Sequence, residues 1–291
     1  MKCWIPKEFD DSGWFADQRT MTSTWEDFRD ALAAGEFQAN EIDKALQCTF
    51  LKVFDDFFSI FGSELEKTLT NVAASKKVGR GTNLKLGENL TADRFIPNSR
   101  FITRGNRFSP AGVEWLYLSC AENLDNAKMC SIKECRAPTG GRFGFCQFQL
   151  IPNTTEKVID LTVADRYKYN ELNSNIKRYI KVTGKNIANQ LRIKYGTVNN
   201  PMEENMAQVK RWTLYTYAKL MSSSLFVPIS NSADSDKMYA PFQCVAQYFL
   251  QKGYVGIIYT STVYRDAKDL VLFDKSLARP VAPYEDFYIQ G

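Results

Sequence analysis

Apolar positions in the first quarter of the chain follow the spacing of an amphipathic helix. After Asn40, which can cap a helix, apolar side chains recur at intervals of three and four residues. They are Ile42, Leu46, Phe50, Val53, Phe54, Phe57, Phe61, Leu65 and Leu69. A capping box at residues 23–26 precedes a shorter predicted helix over 25–34, which ends near Gly35. We therefore predict a small helical domain or brace here, with Gly62 as the point where the longer helix bends or splits.

A polar, glycine-containing stretch over residues 76–89 follows these helices. It carries four basic side chains and a single acidic one, and it lacks a clear apolar period. Its basic residues favour a solvated linker over a phosphate-binding segment. The sequence therefore predicts a helical N-terminal region over 1–90 and a second domain over 91–291.

The second domain combines strand and helix patterns, which predicts an α+β fold. Strands are predicted at 142–150, 157–163, 254–259 and 269–273. Helices are predicted at 121–132, 172–180, 187–193, 203–220 and 241–251. The last two strands suit a hairpin whose loop begins at Ser261.

Composition limits the chemistry more than the fold. The 291 residues are 44% hydrophobic and 24% charged, as in globular proteins, and the net charge of +4 gives little support for a nucleic-acid partner. No apolar run approaches the roughly 18–20 residues of a membrane span, and the N-terminus lacks the apolar core of a signal peptide. We therefore expect a cytoplasmic protein. The absence of histidine excludes Ser-His-Asp and Cys-His hydrolysis, histidine metal ligands and an imidazole base.

Seven cysteines are an odd number and are scattered along the chain, which favours reduced thiols. Cys120, Cys130, Cys135 and Cys146 share one region, but they lack paired Cys-x-x-Cys spacings. Buried thiols are a better interpretation of these four than a zinc site, and we predict no metal. Glycine-rich phosphate loops of the dinucleotide-fold and P-loop types are absent from the sequence.

A basic turn at residues 104–112 leads into a short apolar run, and we predict that this run is a strand that ends at Tyr117. The turn is either an ordinary surface loop before a core strand or a site where Arg104 or Arg107 holds an anion. The second interpretation is possible because a guanidinium fork binds phosphate or carboxylate in a bidentate manner. Three further residues complete a candidate set: Tyr117 could stack on a ligand, Glu134 could stabilise a sugar cation, and Ser261 lies at a strand end. Together with the arginine, this set suits N-glycosidic cleavage of a nucleotide. Spacing alone does not select this set.

Three ordered segments resemble the RES-domain family. Residues 107–117, Arg-Phe-Ser-Pro-Ala-Gly and onward to Tyr117, resemble its Arg-aromatic-Asn-x-x-Gly segment with a strand tyrosine. Residues 134–138, Glu-Cys-Arg-Ala-Pro, look like its Glu-Val-Arg-Pro segment. Residues 254–261 and 269–273 look like its Gly-Ile-x-Tyr-x-Ser strand and its Leu-Val-Leu-Phe strand. The resemblance covers roughly residues 100–275.

The resemblance implies an ADP-ribosyltransferase-like mixed sheet and a toxin of a toxin–antitoxin pair that consumes NAD. NAD would be substrate, with no prosthetic cofactor, and water or phosphate would accept the ADP-ribosyl group. Arg107 would bind the dinucleotide, Tyr117 would orient its nicotinamide end, Glu134 would be the catalytic carboxylate, and Ser261 would position substrate or site. The alternatives are ADP-ribosyl transfer to a protein or small molecule, and a non-catalytic nucleotide-binding protein of the same fold.

The departures from the family pattern leave alternatives open. Ser109 stands where the family usually has asparagine. Because the interval from Tyr117 to Glu134 is longer than in compact members, Glu122 is an alternative to Glu134, and Arg104 is an alternative to Arg107. The expected partners are NAD, a cognate antitoxin protein and a second copy of the chain, with the helical N-terminal region regulating or assembling the enzyme.

Overall fold

The computed structural model describes residues 15–152, 155–190, 201–224 and 235–290. The described residues divide into two compact units, each drawn from three stretches of chain. The helical unit takes its residues from Met1–Asp30, Asp43–Leu65 and Thr162–Val227. The sheet unit takes its residues from Ala31–Ile42, Glu66–Leu161 and Pro228–Gly291.

The helices are α1 (Phe15–Ala34), α2 (Ile42–Ala45), α3 (Thr49–Phe61), α4 (Leu69–Ser75), α5 (Leu124–Glu134), α6 (Tyr169–Gln190), α7 (Pro201–Lys219) and α8 (Ser235–Gln251). The strands are β1 (Glu66–Thr68), β2 (Lys77–Leu84), β3 (Leu116–Ala121), β4 (Arg142–Leu150), β5 (Lys157–Asp160), β6 (Gly256–Thr260), β7 (Ala267–Leu272) and β8 (Ala278–Tyr288).

These strands form one mixed sheet in the order β1-β5-β6-β7-β3-β2-β4-β8. The pair β5–β6 is parallel, and the remaining pairs are antiparallel. Because side chains alternate along a strand, one face carries a continuous apolar core that includes Leu118, Cys146, Phe148, Ile258 and Leu270. The protein is therefore α+β, as predicted.

In the helical unit, the phenylalanine stripe of α3 is packed within the unit itself. Phe50, Phe54 and Phe58 are buried. The ring of Tyr217 on α7 lies 5.0 Å from that of Phe50 and 6.1 Å from that of Phe54, between centroids. The predicted long helix over 42–69 is wrong in its length, because it divides into α2, α3, a 3₁₀ turn and β1. Gly62 does mark the break: α3 ends at Phe61 and a 3₁₀ turn starts at Gly62.

The predicted linker over 76–89 is wrong. Most of it is β2, which pairs with β3 on one side and with β4 on the other. Its apolar signal is weak because glycines occupy Gly79 and Gly81, where an added Cβ would come within 2.4 Å of Phe145 and 2.2 Å of Phe143. The division expected at residue 90 also differs from the two units, since β1 and β2 belong to the sheet unit and residues 162–227 to the helical unit.

Other predicted elements differ mainly at their ends. The strand predicted at 157–163 stops at Asp160, where a 3₁₀ turn begins at Leu161. The strands predicted near 254–259 and 269–273 are β6 and β7, which pair in antiparallel fashion as the expected hairpin. Strand β8 was not predicted. Residues 191–193 of one predicted helix lie outside the described residues. Within the described part of the chain, no helix has both the length and the apolar character needed to cross a membrane.

Candidate functional site

A cavity of about 260 Å³ lies in the sheet unit where β2 and β3 separate. Their ladder consists of three residue pairs and ends at Gly79 and Ser119, although β2 continues to Leu84 and β3 begins at Leu116. Residues just beyond the end of the ladder line the cavity, joined by residues of α5, β6, β7 and the preceding loop. The lining is Arg80, Gly81, Asn106, Tyr117, Leu118, Ser119, Ser131, Glu134, Cys135, Tyr259 and Asp269.

The register of the sheet brings three polar side chains of this lining together. Asp269 on β7 lies opposite Ser119 of β3 and opposite Tyr259 of β6. Directly opposed residues share a face, so these side chains lie on the face of the sheet that does not carry the apolar core. All three are at most 7% exposed. The cavity is therefore floored by a row of buried polar groups across adjacent strands.

Helix α5 holds Glu134 above this row. The side chain of Asn123 caps the helix by accepting a hydrogen bond from the Asn126 backbone N–H at 2.8 Å. The predicted helix over 121–132 runs two residues further, so Glu134 is its last residue. Ser261, buried directly after β6, donates its hydroxyl to Glu134 Oε1 at 2.8 Å. The structure thus brings Glu134 and Ser261 together across 127 residues of sequence.

Asp269 is the second acid of the site. It forms a side-chain hydrogen bond with Glu134, and burial, followed by the neighbouring Glu134 charge, raises the pKa of Asp269 well above its ordinary value. A hydrogen bond between two carboxyl groups requires a proton on one of them. Burial disfavours the charged form, so the buried Asp269 is the member of the pair that holds the proton. Glu134 therefore accepts hydrogen bonds from Asp269 and from Ser261.

Three consecutive residues of the turn before β3 are buried, in contrast to an ordinary surface loop. Arg107 is 8% exposed, and Phe108 and Ser109 are completely buried. The Arg107 guanidinium lies 4.6 Å from the ring centroid of Tyr259. Burial lowers the pKa of Arg107, whereas Tyr259, Asp269 and Glu134 act in the opposite direction. Arg107 therefore lies beside the carboxyl pair and partly offsets its charge, although it is not among the residues that line the cavity.

Tyr117 lines the cavity, and its hydroxyl is hydrogen-bonded to that of Ser109. The two hydroxyl oxygens lie 2.9 Å apart. Burial raises the pKa of Tyr117 to about 12, so the phenol is neutral. Tyr117 was expected to end a strand, but it is the second residue of β3. Ser109, which stands where the family usually has asparagine, therefore positions the tyrosine through its hydroxyl.

The alternative residues lie elsewhere. Arg104 is exposed and is not among the cavity-lining residues. Glu122 is exposed after the end of β3 and forms an ion pair with Lys76. The geometry therefore favours Arg107 over Arg104 and Glu134 over Glu122 as members of the site.

One group of potential metal ligands occurs among the described residues. Cys130, Glu134 and Asp269 offer ligand atoms that all lie within 4.8 Å of one another. Burial raises the pKa of the Cys130 thiol to about 12, and the nearby Arg107 charge opposes a bound cation. Cys120 and Cys146 are buried in the apolar core on the other face of the sheet. The cysteines considered for zinc therefore do not assemble into one site.

Sequence reasoning missed Asp269, Tyr259 and Arg80. Asp269 did leave a signal, because it directly precedes the apolar residues 270–272 of a predicted strand, and a buried carboxyl needs a partner. Tyr259 is indistinguishable in sequence from a core aromatic residue. Arg80 was hidden within the stretch interpreted as a linker.

Comparison of the chain with protein-family models, curated proteins and solved structures finds no match.

Proposed function

We propose that the cavity binds the nicotinamide–ribose end of NAD and that the protein cleaves the bond between nicotinamide and ribose. In this proposal, the sheet unit is an ADP-ribosyltransferase-like RES domain. The observation that supports this proposal is the Glu134 carboxyl group, which lines the cavity and is hydrogen-bonded to Ser261 and Asp269. The cytoplasmic location and the antitoxin partner implied by the resemblance belong to the same proposal.

A fixed anion suits this reaction because positive charge develops on the ribose as the glycosidic bond breaks. The bonding electron pair passes to the pyridinium nitrogen, so nicotinamide leaves as a neutral molecule and needs no proton. The acid–base demand is therefore limited to the acceptor. When water is the acceptor it attacks the anomeric carbon and loses a proton, which the Glu134 carboxylate can accept.

The surrounding side chains suit the uncharged end of the ligand. Tyr117 lines the cavity with its hydroxyl already bonded to Ser109, so its ring is available for stacking against nicotinamide. The cavity, at about 260 Å³, lies near the lower limit of ligand pockets and accommodates one end of a dinucleotide rather than the whole molecule. Arg107 supports the carboxyl pair and Tyr259 from one side.

Nicotinamide release from NAD, with and without inorganic phosphate, tests this proposal. We expect Glu134→Gln to lower the rate by about 10²–10³-fold, because the amide keeps the shape of the side chain and loses its charge. Glu122→Gln is the matched control, since Glu122 is exposed and paired with Lys76 away from the cavity. Equal loss in both variants, or no release by the unmodified protein, would refute the assignment.

The products separate the acceptors. Free ADP-ribose indicates hydrolysis, a phosphorylated ADP-ribose indicates phosphorolysis, and label on a macromolecule indicates transfer. Binding of NAD without release would instead support a non-catalytic nucleotide-binding protein.

A further inference from the structure

Arg80 is the arginine that lines the cavity, and it forms no ion pair with any residue that the structure describes. It lies on β2 one residue beyond the end of the β2–β3 ladder. Its Nη1 atom is buried and makes no hydrogen bond to any residue that the structure describes. A buried donor without a partner is costly, and Arg80, which is half-buried as a whole, adds the cost of a partly desolvated charge. Such a group in a native fold requires an explanation, and a ligand that completes it is one.

The groups that act on Arg80 do not neutralise it. Burial lowers the pKa of Arg80; Cys135 and Tyr117 oppose this effect, while the like charge of Arg94 adds to it. Burial raises the pKa of Cys135 to about 11 and that of Tyr117 to about 12, so neither is an anion at neutral pH. Arg94 is itself paired with Glu88, at 2.5 Å between Nε and Oε1.

Arg107 provides the contrast. The Nη1 atom of Arg107 is likewise buried without a hydrogen bond to a described residue, but the nearby Glu134 carboxylate opposes the lowering of the pKa of Arg107 by burial. The described side chains that act on the charge of Arg80 are Cys135, Arg94 and Tyr117, and none of them is a carboxylate. Of the two arginines, Arg80 is thus the one whose charge lacks compensation, and it is also the one that lines the cavity.

We propose that Arg80 is the anion-binding residue of the cleft and that it takes a phosphate oxyanion. A guanidinium offers donors in a fork that matches phosphate oxygens. The anion site is argued from Arg80 itself, whereas its assignment to phosphate rests on the proposed function. The phosphate is either the pyrophosphate of the dinucleotide or inorganic phosphate that serves as the acceptor.

Calorimetric titration of the full chain with inorganic phosphate at low ionic strength tests the site directly. We expect Arg80→Gln to weaken binding by about 10- to 100-fold, the effect of losing a charged hydrogen bond. Arg80→Lys should retain part of the affinity, because it keeps the charge and loses the fork. Arg100→Gln is the matched control, since Arg100 is an exposed arginine of the same unit.

Thermal unfolding provides a second measurement that does not depend on affinity alone. Without phosphate, Arg80→Gln should melt at a higher temperature than the unmodified protein, because it removes a half-buried charge whose Nη1 donor is buried without a hydrogen bond to a described residue. Phosphate should raise the Tm of the unmodified protein and leave that of Arg80→Gln nearly unchanged. A lower Tm for Arg80→Gln together with unchanged phosphate affinity would overturn the proposal.

Competition distinguishes the two sources of phosphate. If ADP-ribose displaces inorganic phosphate, Arg80 holds the pyrophosphate of the dinucleotide. If both bind together, Arg80 holds the acceptor. If phosphate binding depends on Arg80 but no nicotinamide is released, the anion site stands and the proposed reaction is rejected. If Arg80→Gln changes neither nicotinamide release nor phosphate binding, the anion site alone is rejected.

Discussion

Replacement of Asp269 by asparagine tests the proton-sharing pair without relying on activity. Asparagine has nearly the same size as protonated aspartic acid and can still donate a hydrogen bond to Glu134. It cannot ionise. The substitution therefore removes the shared proton and preserves the packing of a side chain that is 7% exposed on β7.

The expected effect follows from proton linkage. Burial and the Glu134 charge raise the pKa of Asp269 in the folded protein, whereas in the unfolded chain it returns to about 3.9. Above that value the folded state holds one proton more than the unfolded state, so the free energy of unfolding falls as pH rises. The slope is about 1.4 kcal/mol per pH unit for one proton, and it ends at the raised pKa of the folded state. Asparagine contributes no such slope.

Urea denaturation at one-unit intervals from pH 5 to pH 8 measures this difference. We expect the stability of Asp269→Asn relative to the unmodified protein to increase with pH from the start of the series. Asp266→Asn is the matched control, because Asp266 is exposed three residues earlier and its charge stays in water on folding. Parallel stability curves for Asp269→Asn and the unmodified protein across the series would show that Asp269 is ionised, and the proton-sharing pair would be wrong.

Three further substitutions test the packing and the site. Phe54→Ala, at a completely buried position, should lower the free energy of unfolding by about 3–5 kcal/mol in urea, whereas Ile60→Ala, 55% exposed on the same helix, should change it by less than about 0.5 kcal/mol. Gly256→Ala should destabilise by about 1–3 kcal/mol in thermal unfolding, because its Cβ would lie 2.3 Å from a backbone oxygen of β7; an unchanged Tm would contradict this geometry. Ser261→Ala should lower kcat for nicotinamide release about 10-fold with little change in KM, since Glu134 loses a donor, and a change confined to KM would contradict that role.

Elements with a strong period were predictable from the sequence. The apolar alternation over 142–150 corresponds to β4, and the helical pattern over 203–220 corresponds to α7 apart from its ends. Strand β2 was not predictable in this way, because glycines replace the side chains that would have shown alternation. Those glycines are required where Phe143 and Phe145 of β4 occupy the space of a side chain. Tertiary packing therefore removed the local signal of a strand that borders the cavity.

The candidate site was likewise predictable only in part. Arg107, Tyr117, Glu134 and Ser261 were chosen through a resemblance, and the structure places them around one cavity or directly beside it. Their roles stay predictions. The proton on Asp269 and the missing partner of Arg80 depend on which strands are neighbours and where a ladder ends, and neither follows from the local sequence. The two units also alternate along the sequence, with residues 162–227 in the helical unit, and nothing in the composition indicated this division.

The charges of the cleft can be added once these two features are known. Arg80 and Arg107 contribute two positive charges and Glu134 one negative charge, while Asp269 is neutral through its proton. These four side chains together carry a net charge of +1, with the negative charge near the ribose position of the proposed substrate and the uncompensated positive charge on β2. NAD has the complementary polarity, a positive pyridinium ring and a negative pyrophosphate. If this distribution is correct, Asp269→Asn should bind inorganic phosphate as tightly as the unmodified protein at neutral pH, because neither side chain carries charge there. Weaker binding by the unmodified protein alone would mean that an ionised Asp269 opposes the anion, and the assignment of the proton would have to be reversed.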